Sequence, residues 1–216
     1  MGRYRWKRTT LGRAFPSSDP LSQAILRLSI LREDLHFEVR ALSNRRAAVL
    51  TKPDPWLARS YFVRRITVSL AAIHEVLMRD RALNDFIAAP PRGVDRDAVI
   101  EAKAQRKMLA RNMQTLEPIR HKLAAHMDRE FAQSILEEHA ALEGPLQVSM
   151  ERVTDTVLSL PMHAAVVGCF GKPRDGQTPE GNSLAFLGKL RAAHDAAIMC
   201  ADCLVVAFMQ KHGLWG

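Results

Sequence analysis

Aromatic side chains make up only 6% of the 216 residues, β-branched runs are sparse, and cysteine appears three times. The scarcity of aromatic and β-branched residues removes the usual material of a half-buried pleated surface and excludes a sheet-dominated fold. Cys169, Cys200 and Cys203 are odd in number and too few for a disulfide framework in a chain of this size. Free thiols in a reducing, cytoplasmic compartment are therefore expected. Long hydrophobic runs are missing too. The longest, Ala196 to Met209, contains Asp202 and falls short of the roughly 20 residues that span a bilayer, so no transmembrane helix and no membrane partner are expected. The N-terminus is basic, with Arg3, Arg5, Lys7 and Arg8, and lacks the apolar run of a secretory signal.

The marks of the common cofactor enzymes are absent as well. There is no GxGxxG, Walker lysine, GxSxG, HExxH or EF-hand loop, and no pair of Glu-x-x-His steps on two helices such as a di-iron bundle needs. No cofactor and no metal are expected. Cys200-x-x-Cys203 has a spacing that could hold a metal with Cys169 or His194, but two thiols three apart on an apolar helix read first as core residues. His36, His74, His139, His163, His194 and His212 lie on separate elements without ligand spacing and read as solvated or singly bonded.

What the chain does have is helix-forming material. Leu, Ala, Arg and Glu dominate, and 47% hydrophobic with 25% charged residues suits one domain able to bury a core. Residues 1–20 read as a basic, mobile arm in which Tyr4 and Trp6 sit among arginines. From Leu21 onward, Leu21, Leu28, Leu35 and Leu42 recur every seven residues, with Ile25 and Val39 alongside, which predicts an amphipathic helix ending near Asn44. Trp56, Val63, Leu70 and Leu77, flanked by Ile66 and Ile73, predict a second helix that stops before Pro90-Pro91. A third starts near Ala98 and must kink or restart at Pro118. A fourth spans roughly 135–158 with an interruption at Gly144-Pro145. A Gly/Pro-rich loop at 161–182 precedes a last helix, near 183–211, carrying Leu184, Leu187, Ile198, Ala201, Val205 and Phe208. The expected architecture for 21–216 is an all-α, up-and-down helical bundle of about five main helices.

Charge is unevenly spread. Residues 1–130 hold 25 basic and 14 acidic side chains, against 6 and 9 in residues 131–216. Arg outnumbers Lys 23 to 8, and planar guanidinium groups suit bidentate phosphate contacts, so nucleic acid is a reasonable partner.

One segment combines these features: Arg120-His121-Lys122-Leu123-Ala124-Ala125-His126-Met127-Asp128. Arg, a polar residue, four residues and His at this strict spacing are expected on the order of 0.1 times by chance from 23 Arg and 8 His. The segment resembles the signature of the HEPN superfamily, helical bundles whose motif is Arg, then Asn, Asp or His, then four residues and His. It is most similar to the HEPN proteins of abortive-infection and toxin–antitoxin systems. Asp128 stands where some of those proteins carry a modifiable tyrosine. The resemblance implies a metal-independent ribonuclease that serves as a toxin or antiphage-defence component. It also implies a homodimer that brings two motifs to one cleft, with an antitoxin or regulatory protein as a further partner. Arg120 and His126 would be catalytic, and His121, Lys122 and Arg129 would bind substrate.

Helix geometry bears on those roles. Arg120 and His126, six residues apart, lie about 120° apart around a helix. Lys122, His126 and Arg129 share a face at steps of four and three, and cationic neighbours favour the neutral, basic imidazole. The bland alternative stays open: His126 beside the row Leu116, Ile119, Leu123 and Met127 as a core-edge histidine, and Arg120 as a surface cation paired with Glu117. Two other functions fit the same residues. One is a non-catalytic bundle that binds nucleic acid or a protein partner through its basic face, and the other is a small-ligand-binding bundle with a cleft near Arg120.

Overall fold

In the computed structural model, residues 9–43, 55–120, 133, 137 and 179–214 are described. They form six helices: α1 (Leu11–Ala14), α2 (Pro20–Ser43), α3 (Pro55–Arg79), α4 (Arg81–Ala88), α5 (Arg96–Arg120) and α6 (Pro179–Lys211). No strand occurs among the described residues, and the protein is an all-α helical bundle.

The helix boundaries follow from local chemistry. Asp19 caps α2, its Oδ1 accepting from the Leu21 N–H at 3.1 Å and its Oδ2 from the Ser22 hydroxyl at 3.0 Å, while Pro20 takes the first position, where its missing N–H costs nothing. Asp95 caps α5 in the same way, accepting from the Asp97 N–H at 2.9 Å. At the far end of α6, Gly213 adopts φ +62°, and the Leu214 N–H donates to the Met209 carbonyl at 2.8 Å while that of Gly213 reaches Gln210 at 3.0 Å. This pairing of the last carbonyls needs a left-handed residue, which glycine supplies without a Cβ clash.

Four long helices enclose the core. α2 packs on α3 and α6, and α5 packs on α3 and, most extensively, on α6. Arg32 of α2 meets Asp202 of α6 while Asp19 meets Lys211, so these two helices run antiparallel. α5 and α6 are antiparallel as well: the Asp95 N–H donates to Gln210 Oε1 at 2.9 Å, and Cys200 Sγ donates to the Ala102 carbonyl at 3.4 Å. Ile25, Leu28, Leu35, Ile66, Leu70, Ile73 and Leu77 are fully buried on the stripes that α2 and α3 show in sequence. Each such side chain contributes about 1.5–3 kcal/mol through removal of apolar surface from water.

The structure departs from the sequence expectations in five places. The second predicted helix is two, because Asp80 interrupts it and caps α4, accepting from the Leu83 N–H at 3.0 Å. Of the two expected outcomes at Pro118 the restart does not occur, since α5 carries across it to Arg120; the proline withholds an N–H from the carbonyl of Gln114. Residues 179–182, expected in the Gly/Pro-rich loop, form the first turn of α6. The described part of the N-terminal arm is docked: Ala14 is buried, and the Phe15 ring stacks on Phe208 with centroids 5.6 Å apart. The buried stripe of α6 is also rotated from the expected one. Ala201 and Phe208 are buried as expected, but Leu187 is 42% exposed, and Ala193, Ala197, Cys200, Leu204 and Ala207 make up the rest of the buried row, with small side chains suited to a close helix contact. Residues Ala185–Lys211 of α6 are long and apolar enough to cross a membrane by length and composition. The buried row of that stretch packs in the bundle, as the central helix of a helical core does. The predicted helix near 135–158 lies outside the described residues, apart from position 137.

Candidate functional site

Of the residues singled out by the motif, Arg120 is the last described residue of α5. His121, Lys122, His126 and Arg129 lie outside the described residues. The register of α5 nevertheless defines where Arg120 stands. Val99, Ala102, Leu109, Met113 and Leu116 are buried, and they follow alternating steps of three and four once position 106 is included. Arg120 occupies the next step of that row, on the same face of the helix as Ala102. Arg106 interrupts an otherwise apolar seam. The antiparallel register with α6 places Arg120 level with the first turns of α6. The C-terminus of α2 and the N-terminus of α3 come to the same end of the bundle.

One flank of α5 beside that seam is cationic. Lys103, Lys107 and Arg111 are exposed at successive steps of four, and none makes an ion pair or hydrogen bond among the described residues. Lys103 and Lys107 also border a groove of about 450 Å³ lined by Met78, Asn84, Ile87, Ala88, Lys103, Arg106, Lys107 and Ala110. Arg106 is half-buried there, and its Nε donates to Met78 Sδ at 3.3 Å. The Asn84 amide donates to the Met78 carbonyl at 3.2 Å, closing the end of α3. Sequence reading assigned no role to this cluster, although the 103, 107, 111 spacing was legible as a helical row once the helix was placed.

Other titratable groups serve packing. Burial pushes the Cys200 thiol up to about 12, and burial followed by the nearby carboxylates of Glu101, Asp202 and Asp95 pushes Cys203 up as well. Both thiols therefore stay protonated at neutral pH, as core residues do. Among the described residues no group of three His, Cys, Asp or Glu side chains is placed to hold a metal ion. His194 Nδ1 lies 2.9 Å from Asp195 Oδ1, and the His212 ring packs against Phe208 at a tilt of 51°, with its Nε2 3.7 Å from Asp19 Oδ2. The Glu38 carboxylate is buried, with Oε1 accepting from Arg65 Nε at 3.1 Å and Oε2 without a hydrogen-bond partner among the described residues.

Comparison with protein-family models, curated proteins and solved structures finds no match to this chain.

Proposed function

We propose that the protein is an HEPN-like, metal-independent ribonuclease, with toxin or antiphage-defence activity, whose chemistry rests on Arg120 and His126. The observation that carries this reading is the strict Arg120-His121-x4-His126 spacing, which begins at the last described residue of a long bundle helix.

In this mechanism His126 acts as base or acid. As base, it takes the proton from a ribose 2′-hydroxyl, whose oxygen attacks the adjacent phosphorus. Arg120 stabilises the charge that builds on the non-bridging phosphate oxygens, and an acid returns a proton to the departing 5′-oxygen. The products are a 2′,3′-cyclic phosphate and a 5′-hydroxyl. His121, Lys122 and Arg129 orient the substrate phosphates. A homodimer would join two motifs at one cleft, and an antitoxin or regulatory protein would restrain the activity.

The test is incubation of the full chain with end-labelled RNA in EDTA, with Arg120→Ala and His126→Ala in parallel. Cyclic phosphate ends from the wild type are expected, with cleavage lowered about 10²- to 10⁴-fold in His126→Ala while fold and oligomeric state are kept. Equal cleavage by all three proteins, or none, sinks the proposal. The exposed Lys103, Lys107 and Arg111 favour a second reading, a non-catalytic bundle that binds nucleic acid or a protein partner through its basic face. RNA binding would then weaken steeply with salt and survive His126→Ala, whereas a protein-binding bundle would leave RNA unbound.

A further inference from the structure

We propose that the groove between α4 and α5 binds an aliphatic chain ending in an anionic head, a carboxylate or a phosphate monoester. The proposal stands apart from the ribonuclease reading.

The floor and the rim of the groove have different chemistry. Met78, Ile87, Ala88 and Ala110 offer aliphatic surface, and about 450 Å³ lies within the range of small-molecule pockets. Every charged side chain that lines it is a cation, namely Lys103, Arg106 and Lys107. Arg106 sharpens the point. It is half-buried, yet the partner of its Nε is a thioether, a weak acceptor, and no carboxylate lines the groove to match its other N–H groups. A partly desolvated guanidinium in that state favours an incoming anion, and a planar fork suits a carboxylate or phosphate head.

The same residues argue against other occupants. No aromatic side chain lines the groove, so bases find no stacking platform. Asn84, its one uncharged polar side chain, is already engaged with the Met78 carbonyl, so base edges find few groups to pair with. Its stretch along α5, from Lys103 to Ala110, spans only about 10 Å, short for the row of anchors that a docked protein helix needs. Met78 can adjust to a chain of uncertain shape, since its thioether arm is unbranched and flexible.

Calorimetric titration of the full chain at physiological ionic strength tests this, using dodecanoate, dodecyl phosphate, dodecanol, inorganic phosphate and decaadenylate, the amphiphiles below their micellar concentrations. One dodecanoate or dodecyl phosphate per chain is expected to bind, and the tighter of the two identifies the head group. Dodecanol and inorganic phosphate should each bind at least about tenfold more weakly, since each lacks half of the recognition. Arg106→Gln should weaken binding about tenfold, and Ala88→Glu, which sets a carboxylate at an exposed position of the aliphatic lining, should abolish it. Lys107→Gln, also at an exposed position, gives an independent loss should Arg106→Gln fail to fold. The proposal is overturned by absence of saturable binding, by dodecanol binding as tightly as dodecanoate, or by unchanged binding in the variants. Decaadenylate binding more tightly than either amphiphile, and losing that affinity in the same variants, also overturns it and reassigns the groove to nucleic acid.

Discussion

The seam between α2 and α6 and the outer face of α5 carry charge in opposite ways. Along the seam Arg32 pairs with Asp202 and Asp19 with Lys211. Arg32 makes a two-pronged contact with Asp202, Nε to Oδ1 at 3.0 Å and the second nitrogen to Oδ2 at 3.2 Å. Asp19 faces Lys211 Nζ at 3.5 Å. On α5, Lys103, Lys107 and Arg111 stand one turn apart without an acid among the described residues. Paired charges fix how two helices sit together. Like charges in a row on one helix repel by a few tenths of a kcal/mol per pair, so their presence is not explained by the fold. The difference separates charge that serves the architecture from charge that is available to a ligand.

The strongest break of the paired seam is Asp19→Ala, which removes the cap of α2 and the contact with Lys211 together. A loss of about 1–2 kcal/mol at neutral pH is expected from urea denaturation. Burial pushes the Asp19 carboxyl up, but hydrogen bonds from Ser22 and the Leu21 N–H, together with the Lys211 ammonium, outweigh it and hold the group below its ordinary value. A carboxylate so lowered contributes stability above the unfolded-state value that is lost as pH falls through the folded one. The gap between wild type and Asp19→Asn should therefore be largest near neutrality and close below about pH 4. A gap that widens in acid would contradict this account. Next in size is the Arg32–Asp202 pair. A double-mutant cycle with Arg32→Gln and Asp202→Asn should return a coupling of about 0.5–1 kcal/mol, since Asp202 is still 46% exposed.

How far the sequence reveals these roles depends on side-chain size. The stripes of α2 and α3 were legible because Leu and Ile at three- and four-residue steps are both the most apolar and the most buried residues. On α6 the same reasoning reaches Ala201 and Phe208, which are buried, but also Leu187, which is exposed, and it passes over Ala193, Ala197, Cys200 and Ala207, small buried residues that carry little hydrophobic signal. Asp80 shows a different blind spot: an apolar period runs on through it, and only the hydrogen bond from the Leu83 N–H reveals that one helix has become two. For the candidate sites the balance is reversed. The Arg120-x5-His126 spacing is a property of sequence and was read there, although His126 lies outside the described residues. The groove at Arg106 joins residues from α3, α4 and α5, a meeting that no local pattern encodes.

The smallest expected effect tests the other half of the comparison. Replacing Lys103, Lys107 and Arg111 together by Gln keeps a residue of similar helix propensity at each site, so the intrinsic preference of α5 hardly changes. Two like-charge contacts at steps of four disappear, each of about 0.2–0.5 kcal/mol. The variant should therefore equal the wild type in stability or exceed it slightly, and the gain should shrink as salt is added, because screening already weakens the repulsion in the wild type. A loss of more than about 1 kcal/mol would mean that these cations have structural partners, and the division between architectural and available charge would fail on α5. Stability retained with weaker dodecanoate binding would assign the row to recognition, since a substitution that leaves folding intact and lowers affinity acts on the complex alone.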